Sequence, residues 1–185
     1  MPRIAFTTFN ILKEPYGHPV VQEFDDRTPS TFREAELSPG FIDRAVAVDD
    51  REDLTNFERD WGQWGRFAVP RFYTGGRTAG TDSRASTLSL WKDIESVFSF
   101  SYSGVHRDAL RKRHEWFVKP ECPSYAMWWV GDDTVPTWED ACRRIEHLHD
   151  HGPTPESFTF HHPFTPDGSP TKLSGIGRAA TKDLA

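Results

Sequence analysis

Residues 91–117, WKDIESVFSFSYSGVHRDALRKRHEWF, constrain the fold more than any other stretch of the chain. A short alternating segment, TLSLW (87–91), leads into them, and a dense apolar segment, YAMWWV (125–130), follows. Strand, long helical connection, strand is the simplest arrangement that satisfies both periodicities. Residues 93–102 place Ile94, Val97, Phe98 and Phe100 at helical spacing, and Gly104 marks a bend. From 105 to 117 a second helical segment puts His106, Leu110, Arg113 or His114, and Phe117 on one side. The segment 124–130, bounded by Pro123 and Gly131, is bulky on both faces and is expected as a central strand covered on both sides.

Other elements flank this unit. Residues 3–12 suit a strand, with Ile4, Phe6, Thr8 and Asn10 on one face and Ala5, Thr7, Phe9 and Ile11 on the other. Residues 13–37 are polar and interrupted by proline, and an irregular excursion is expected there. Ser38-Pro39 has the form of a helix start, which predicts a short helix over 39–55. A short edge strand is expected at 69–73 and a mobile glycine-containing loop at 74–80. Those glycines lack the spacing of a phosphate loop or a dinucleotide fingerprint. Thr137 with Asp140 predicts a capped helix carrying Trp138, Ala141, Ile145 and Leu148 as its buried stripe and stopped at Gly152-Pro153. Phe158–Phe160 is expected as a last strand, and residues 165–185 as a loose tail after one domain over 1–164.

The interleaving predicts an α+β fold, a mostly antiparallel sheet with helices on one face. Its aliphatic content is modest, hydrophobic residues being 36% and aromatics 14% of the chain, so large rings must supply most of the buried area. The second sheet face then carries aromatics that need a cover. A second copy is the simplest one, so a symmetric homodimer is expected.

Charge and composition exclude several classes of function. A net charge of -6 opposes nucleic-acid binding, and the one basic cluster, Arg107 with Arg111–Arg113, is too short to reverse it. No apolar run reaches bilayer length, and the first residues enter a strand pattern directly, so a cytoplasmic protein without membrane association is expected. Cys122 and Cys142 have neither metal nor redox spacing, and Cys142 reads as a small core residue.

Candidate chemistry gathers on the central unit. His106 has three readings: a general base inside a pocket, a haem ligand, or a structural residue paired with a carboxylate. Asn10 either ends its strand or presents an amide to an apolar pocket. Arg113 either clamps a substrate carboxylate or pairs with a neighbour such as Glu115. His114 is a second candidate acid, base or ligand. Trp91, Phe100, Tyr102, Leu110 and Trp129 are the expected pocket walls. Of His147, His149 and His151, only the first and last share a helix face, so no metal site is expected there.

The runs WKDIESVFSFSYSGVH, RKRHEWF, YAMWWV and RRIEHLHDHGPTPESFTF, in this order, resemble the bacterial family called domain of unknown function 3291, over roughly residues 3–164. That family resembles the dimeric α/β-barrel superfamily of ferredoxin-like sheets paired face to face. The resemblance implies a range of activities: cofactor-independent monooxygenases, haem-degrading and peroxidase-like proteins, isomerases, cyclases and plain binding proteins. In some branches an Asn near the end of the first strand and a Trp on the long helix contribute to the site. Asn10 corresponds to the former and Phe100 stands at the position of the latter. The position of an axial His holds Leu110, with His106 one turn earlier. The expected function is therefore a small-molecule enzyme without a dedicated cofactor, acting on an apolar or aromatic, polyketide-like substrate. A haem protein and a non-enzymatic hydrophobic-ligand-binding dimer are the alternatives.

Overall fold

The computed structural model describes residues 1–49, 56–78 and 80–173. Strand β1 (Arg3–Ile11) is followed by helix α1 (Pro19–Leu37), strands β2 (Phe41–Arg44) and β3 (Arg84–Trp91), helices α2 (Ile94–Ser101) and α3 (Gly104–Trp116), strand β4 (Tyr125–Val130) and helix α4 (Trp138–His151). The strands form one antiparallel sheet in the order β2-β3-β1-β4. A βαββαβ unit with the first and third strands central is the ferredoxin-like arrangement, here extended by α4.

Period-2 alternation sorts the sheet into two faces as expected. Register places Ile4, Trp91 and Trp129 in one row, then Phe6, Ser89 and Met127, then Thr8, Thr87 and Tyr125, and finally Asn10 with Ala85. This front face carries α1, α2 and α3. Ile94, Val97 and Phe100 of α2 and Ala35 of α1 share a core with Ile4, Phe6, Trp91 and Met127. On the back, Ala5, Phe9, Leu88, Leu90 and Trp128 pack with Trp138, Ala141, Ile145 and Leu148 of α4. Phe57, Trp61, Trp64 and Phe67 complete that layer.

Helices therefore lie on both faces, not one. The aromatic back face is covered by α4 and by residues of the 57–73 segment of the same chain, so a second copy is not what covers it.

Several local expectations are corrected. Residues 19–37, expected to be irregular, form α1. His18 caps it through Nδ1, which accepts from Val20 N–H at 3.3 Å, and Pro19 stands in its first turn. Ser38-Pro39-Gly40 ends this helix and does not begin another: Ser38 N–H donates to the Ala35 carbonyl at 3.0 Å. Gly40, at φ 81°, then turns the chain into β2 where a helix was expected, and any Cβ there would collide with Ser96. Residues 45–49 of that predicted helix are irregular, and 50–55 lie outside the described residues. Residues 69–73 form a turn closed by Tyr73 N–H on the Pro70 carbonyl at 2.9 Å. Residue 79 of the predicted loop is also outside the description.

Strand β4 is an edge strand, although both its faces are covered. Among the described residues the predicted last strand forms no strand: Met127 and Phe158 exchange backbone bonds of 2.9 Å in an isolated bridge, and Thr159 bridges locally to His162. Residues 165–173, expected to be loose, fold back with Thr171 N–H on the Pro163 carbonyl at 2.9 Å and Leu173 against the front core. Residues 174–185 lie outside the description. Helix α4 follows its sequence signal closely, with a full Thr137–Asp140 capping box.

Candidate functional site

A cavity of about 400 Å³ opens between the front of the sheet and helices α1 and α3, a volume suited to a small organic ligand. Its floor is Phe6, Thr8, Asn10, Thr87, Ser89 and Trp91, and its far wall includes Tyr125 and Phe160. The floor hydroxyls are mostly committed: Thr8 and Thr87 hydroxyls lie 2.8 Å apart, and Ser89 Oγ accepts the Trp91 indole N–H at 2.8 Å. The Asn10 amide makes no side-chain hydrogen bond among the described residues, so its donors and acceptor are available to the cavity.

His106 stands in the first turn of α3 and lines the cavity. Its Nδ1 is 2.8 Å from the Ser101 carbonyl, so Nδ1 carries the proton of the neutral ring and Nε2 keeps its lone pair. Burial lowers the His106 pKa, against the opposing pull of the Ser101 carbonyl and Glu34. The ring packs 4.7 Å from Phe100, which stacks 5.2 Å from Trp91. Glu34 of α1 holds the backbone: its carboxylate accepts the N–H groups of Val105 and His106, each at 3.1 Å. Ser103, the N-cap residue, gives no side-chain bond, so α3 is capped from α1.

The two most polar candidates do not converge. His106 belongs to the end of the cavity marked by Phe100, Trp91 and, across the sheet, Ile4. Asn10 belongs to the other end, where Leu12 bridges Phe117 and Lys13 N–H reaches the Trp116 carbonyl. Six residue steps of strand run from Ile4 to Asn10, roughly 20 Å of rise. They can therefore engage only different parts of one ligand.

Of the remaining sequence candidates, Trp91, Phe100, Tyr102, Leu110 and Arg113 line the cavity. His114 does not; it is exposed on α3, and its carbonyl accepts from Lys13. Trp129 does not either, because its indole N–H is held at 2.7 Å by the Phe164 carbonyl in the C-terminal segment.

The wall missed from sequence is α1. Phe24, Thr28, Thr31 and Ala35 line the cavity at alternating steps of four, three and four residues. The signal was present, but threonines occupy two of the four positions and Pro29 interrupts the stripe, so no apolar periodicity emerged. Tyr16 also lines the cavity; burial, with Asp25 and Asp82 nearby, raises its pKa and keeps the phenol protonated.

Among the described residues no group of three His, Cys, Asp or Glu side chains could hold a metal ion. At the end of α4, His147 and His151 rings lie 4.7 Å apart, and His147 Nε2 is 2.8 Å from the Thr154 hydroxyl. Cys122 and Cys142 are free thiols; Cys142 is half-buried beside Glu146 and pushed up to about 12, chiefly by burial. No described helix is long and apolar enough to cross a membrane.

Among curated proteins none matches the chain. Among solved structures it is similar to "Putative antibiotic biosynthesis monooxygenase from Nitrosomonas europaea", at 9% identity and a TM-score of 0.40 over 73% of this chain and 93% of that one. Residues 3–174 match the family described as Domain of unknown function (DUF3291), and the chain belongs to that family.

Proposed function

We propose that the cavity is the active site of a small-molecule enzyme acting on an apolar or aromatic, polyketide-like substrate. His106 is the group that moves the proton. The observation that carries this reading is the state of the ring: Nδ1 fixed on the Ser101 carbonyl, Nε2 left as the basic nitrogen, and burial favouring the neutral form. Nε2 takes a proton from an acidic C–H or phenol of the bound substrate, and the aromatic walls keep water away from the resulting anion. Isomerisation, cyclisation and cofactor-independent oxygenation with dioxygen all begin with that step. Asn10 hydrogen-bonds a substrate oxygen at the far end and so orients the ligand.

The test starts from mass spectrometry of whatever co-purifies, followed by a panel of polycyclic phenols assayed by absorbance and oxygen consumption. His106→Ala is expected to lose at least about a hundredfold in kcat, the ordinary share of a general base. Turnover untouched by this change would sink the assignment. A ligand retained without any product would instead favour a binding protein.

The same hydrogen bond supports a second reading, since a carbonyl-anchored Nδ1 is also what an axial histidine requires. Haem would be held by His106 Nε2 between the aromatic walls, and it would supply redox chemistry when bound. A Soret band on haem titration that disappears in His106→Ala is the expected sign, and its absence eliminates the reading. The proposed setting is the cytoplasm, where free thiols such as Cys122 and Cys142 persist. A homodimer is also proposed, using surfaces other than the covered back face and checked by light scattering.

A further inference from the structure

Four buried side-chain atoms lack a hydrogen-bond partner among the described residues: Arg3 Nε, Ser101 Oγ, Trp138 Nε1 and Arg144 Nε. The two arginines bond through their other nitrogens, to the Gly131 carbonyl and to Glu156. Trp138 is enclosed in the back layer by Phe57, Trp61 and Phe67. Ser101 is the one beside the candidate base. It ends α2, is 3% exposed and lines the cavity.

A buried hydroxyl without a partner needs a physical reason. A hydroxyl within a helix can donate to the carbonyl four residues back, as Thr28 does to Phe24 and Thr31 to Arg27, both at 3.0 Å. Ser101 makes no such bond to Val97. Its carbonyl instead holds His106 Nδ1 at 2.8 Å. One residue thus orients the imidazole through its backbone and keeps an uncommitted hydroxyl next to it. The other polar groups of the wall are engaged or distant. Arg27 pairs with Glu23, Arg44 with Glu36, and Arg113 Nη1 donates to the Leu110 carbonyl. Asp25 and Asp82 act on Tyr16, which packs with Leu12 and Trp116 toward the Asn10 end.

We infer that the Ser101 hydroxyl is a catalytic hydrogen-bond donor, holding the substrate oxygen on which negative charge gathers as His106 Nε2 takes the proton. In that step an O–H or acidic C–H bond of the substrate breaks and its proton passes to Nε2. The electron pair delocalises onto the oxygen that Ser101 Oγ–H meets. The substrate is then a phenol or an enolisable carbonyl compound, seated with that oxygen at the Trp91–Phe100 end. A serine side chain turns about a single torsion, which lets the hydroxyl swing toward an oxygen in the cavity that the residue lines. Glu34, held by the Val105 and His106 N–H groups, favours the imidazolium so formed. The assignment rests on the cavity being the active site with His106 as its base, and adds the group that meets the developing charge.

The test is calorimetric titration of the full chain at pH 7.5 with two probes. One is 4-nitro-1-naphthol, an acidic phenol whose absorbance reports its ionisation; the other is 1-nitronaphthalene, which lacks the hydroxyl. The phenol is expected to bind in its ionised form, about tenfold more tightly than the hydrocarbon-like probe, the effect of one charge-assisted hydrogen bond. Ser101→Ala keeps the carbonyl that orients His106. It is expected to lose most of that preference, with 1-nitronaphthalene affinity within about twofold and a thermal midpoint no lower than wild type, because no hydrogen bond is removed. Ser101→Thr, which keeps a hydroxyl, should retain part of the preference.

Equal wild-type affinities for the two probes overturn the assignment. So does a lower thermal midpoint in Ser101→Ala with both probes weakened alike, the mark of a structural hydroxyl. A preference that Ser101→Ala leaves intact but His106→Ala removes overturns it while the active-site reading stands. A preference intact in both variants, or binding of neither probe, overturns both.

Discussion

Gly104 stands so close to Glu34 that a side-chain carbon at Gly104 would collide with the carboxylate oxygen Oε1. The glycine has φ 50°, which starts α3 at an angle that lets Glu34 reach the Val105 and His106 N–H groups. A bend, a cap from another helix and the placement of the candidate base are thus one local arrangement. Gly104→Ala meets both a positive-φ penalty and the loss of the cap, so it is expected to cost about 2 kcal/mol in urea denaturation. Glu34→Ala is expected to cost about 1 kcal/mol. The double variant should lose less than the sum, because the collision needs both side chains.

Stability should depend on pH through His106. Its folded pKa is depressed by burial, so the unfolded chain takes up the proton first as pH falls. The contribution is fully present above the unfolded value of about 6.5 and is lost as pH drops from there through the folded pKa. Urea midpoints at pH 7.5 and 5 should therefore differ more in the wild type than in His106→Gln. An identical difference in the two proteins refutes this.

Ser89 and Trp91 test how far the cavity floor depends on one hydroxyl. Trp91 is fully buried, and its indole N–H donates to Ser89 Oγ at 2.8 Å. Ser89→Ala leaves that donor without its acceptor and is expected to cost about 1–3 kcal/mol. A lower thermal midpoint with altered tryptophan emission is the expected result. Ser89→Thr, which keeps an acceptor, should lose less.

Behind the sheet, Arg84 is a charge enclosed by rings. Its side chain is 0% exposed, donates to Asp82 and to Glu58, and lies 5.3 Å from the Phe57 ring and 5.2 Å from Phe67. Arg84→Ala strands the Asp82 carboxylate and is expected to cost about 3–5 kcal/mol. Arg84→Met with Asp82→Asn should recover part of that loss, because a buried pair removed together leaves no lone charge. Arg84 does not line the cavity, so ligand affinity well below the melting range should be unchanged in the double variant.

The parts of the fold legible from sequence were those whose signal is local. Thr137 and Asp140 announced α4, Asp93 opened α2 within a residue of its expected start, and period-2 alternation sorted β1 correctly. Helix α1 was illegible because it lines a cavity: threonines at Thr28 and Thr31 take positions that a packed helix would fill with aliphatic side chains. Its start signal was also the unusual pair His18-Pro19, and its end signal, Ser38-Pro39-Gly40, has the form of a beginning.

By itself the sequence determined an aromatic-rich α+β chain, the strand–helix–strand unit around residues 91–117 and His106 as the residue to watch. Tertiary structure alone decided which side chains share the cavity. At about 100° per residue, His114 falls roughly 80° around α3 from His106, and packing against α1 turned His106 inward and left His114 in solvent. Register set Asn10 far along the floor from Trp91, packing on Phe100 held His106 at the Trp91 end, and the Phe164 carbonyl drew Trp129 away from the cavity. Those outcomes depend on contacts between residues distant in sequence, which local periodicity does not encode.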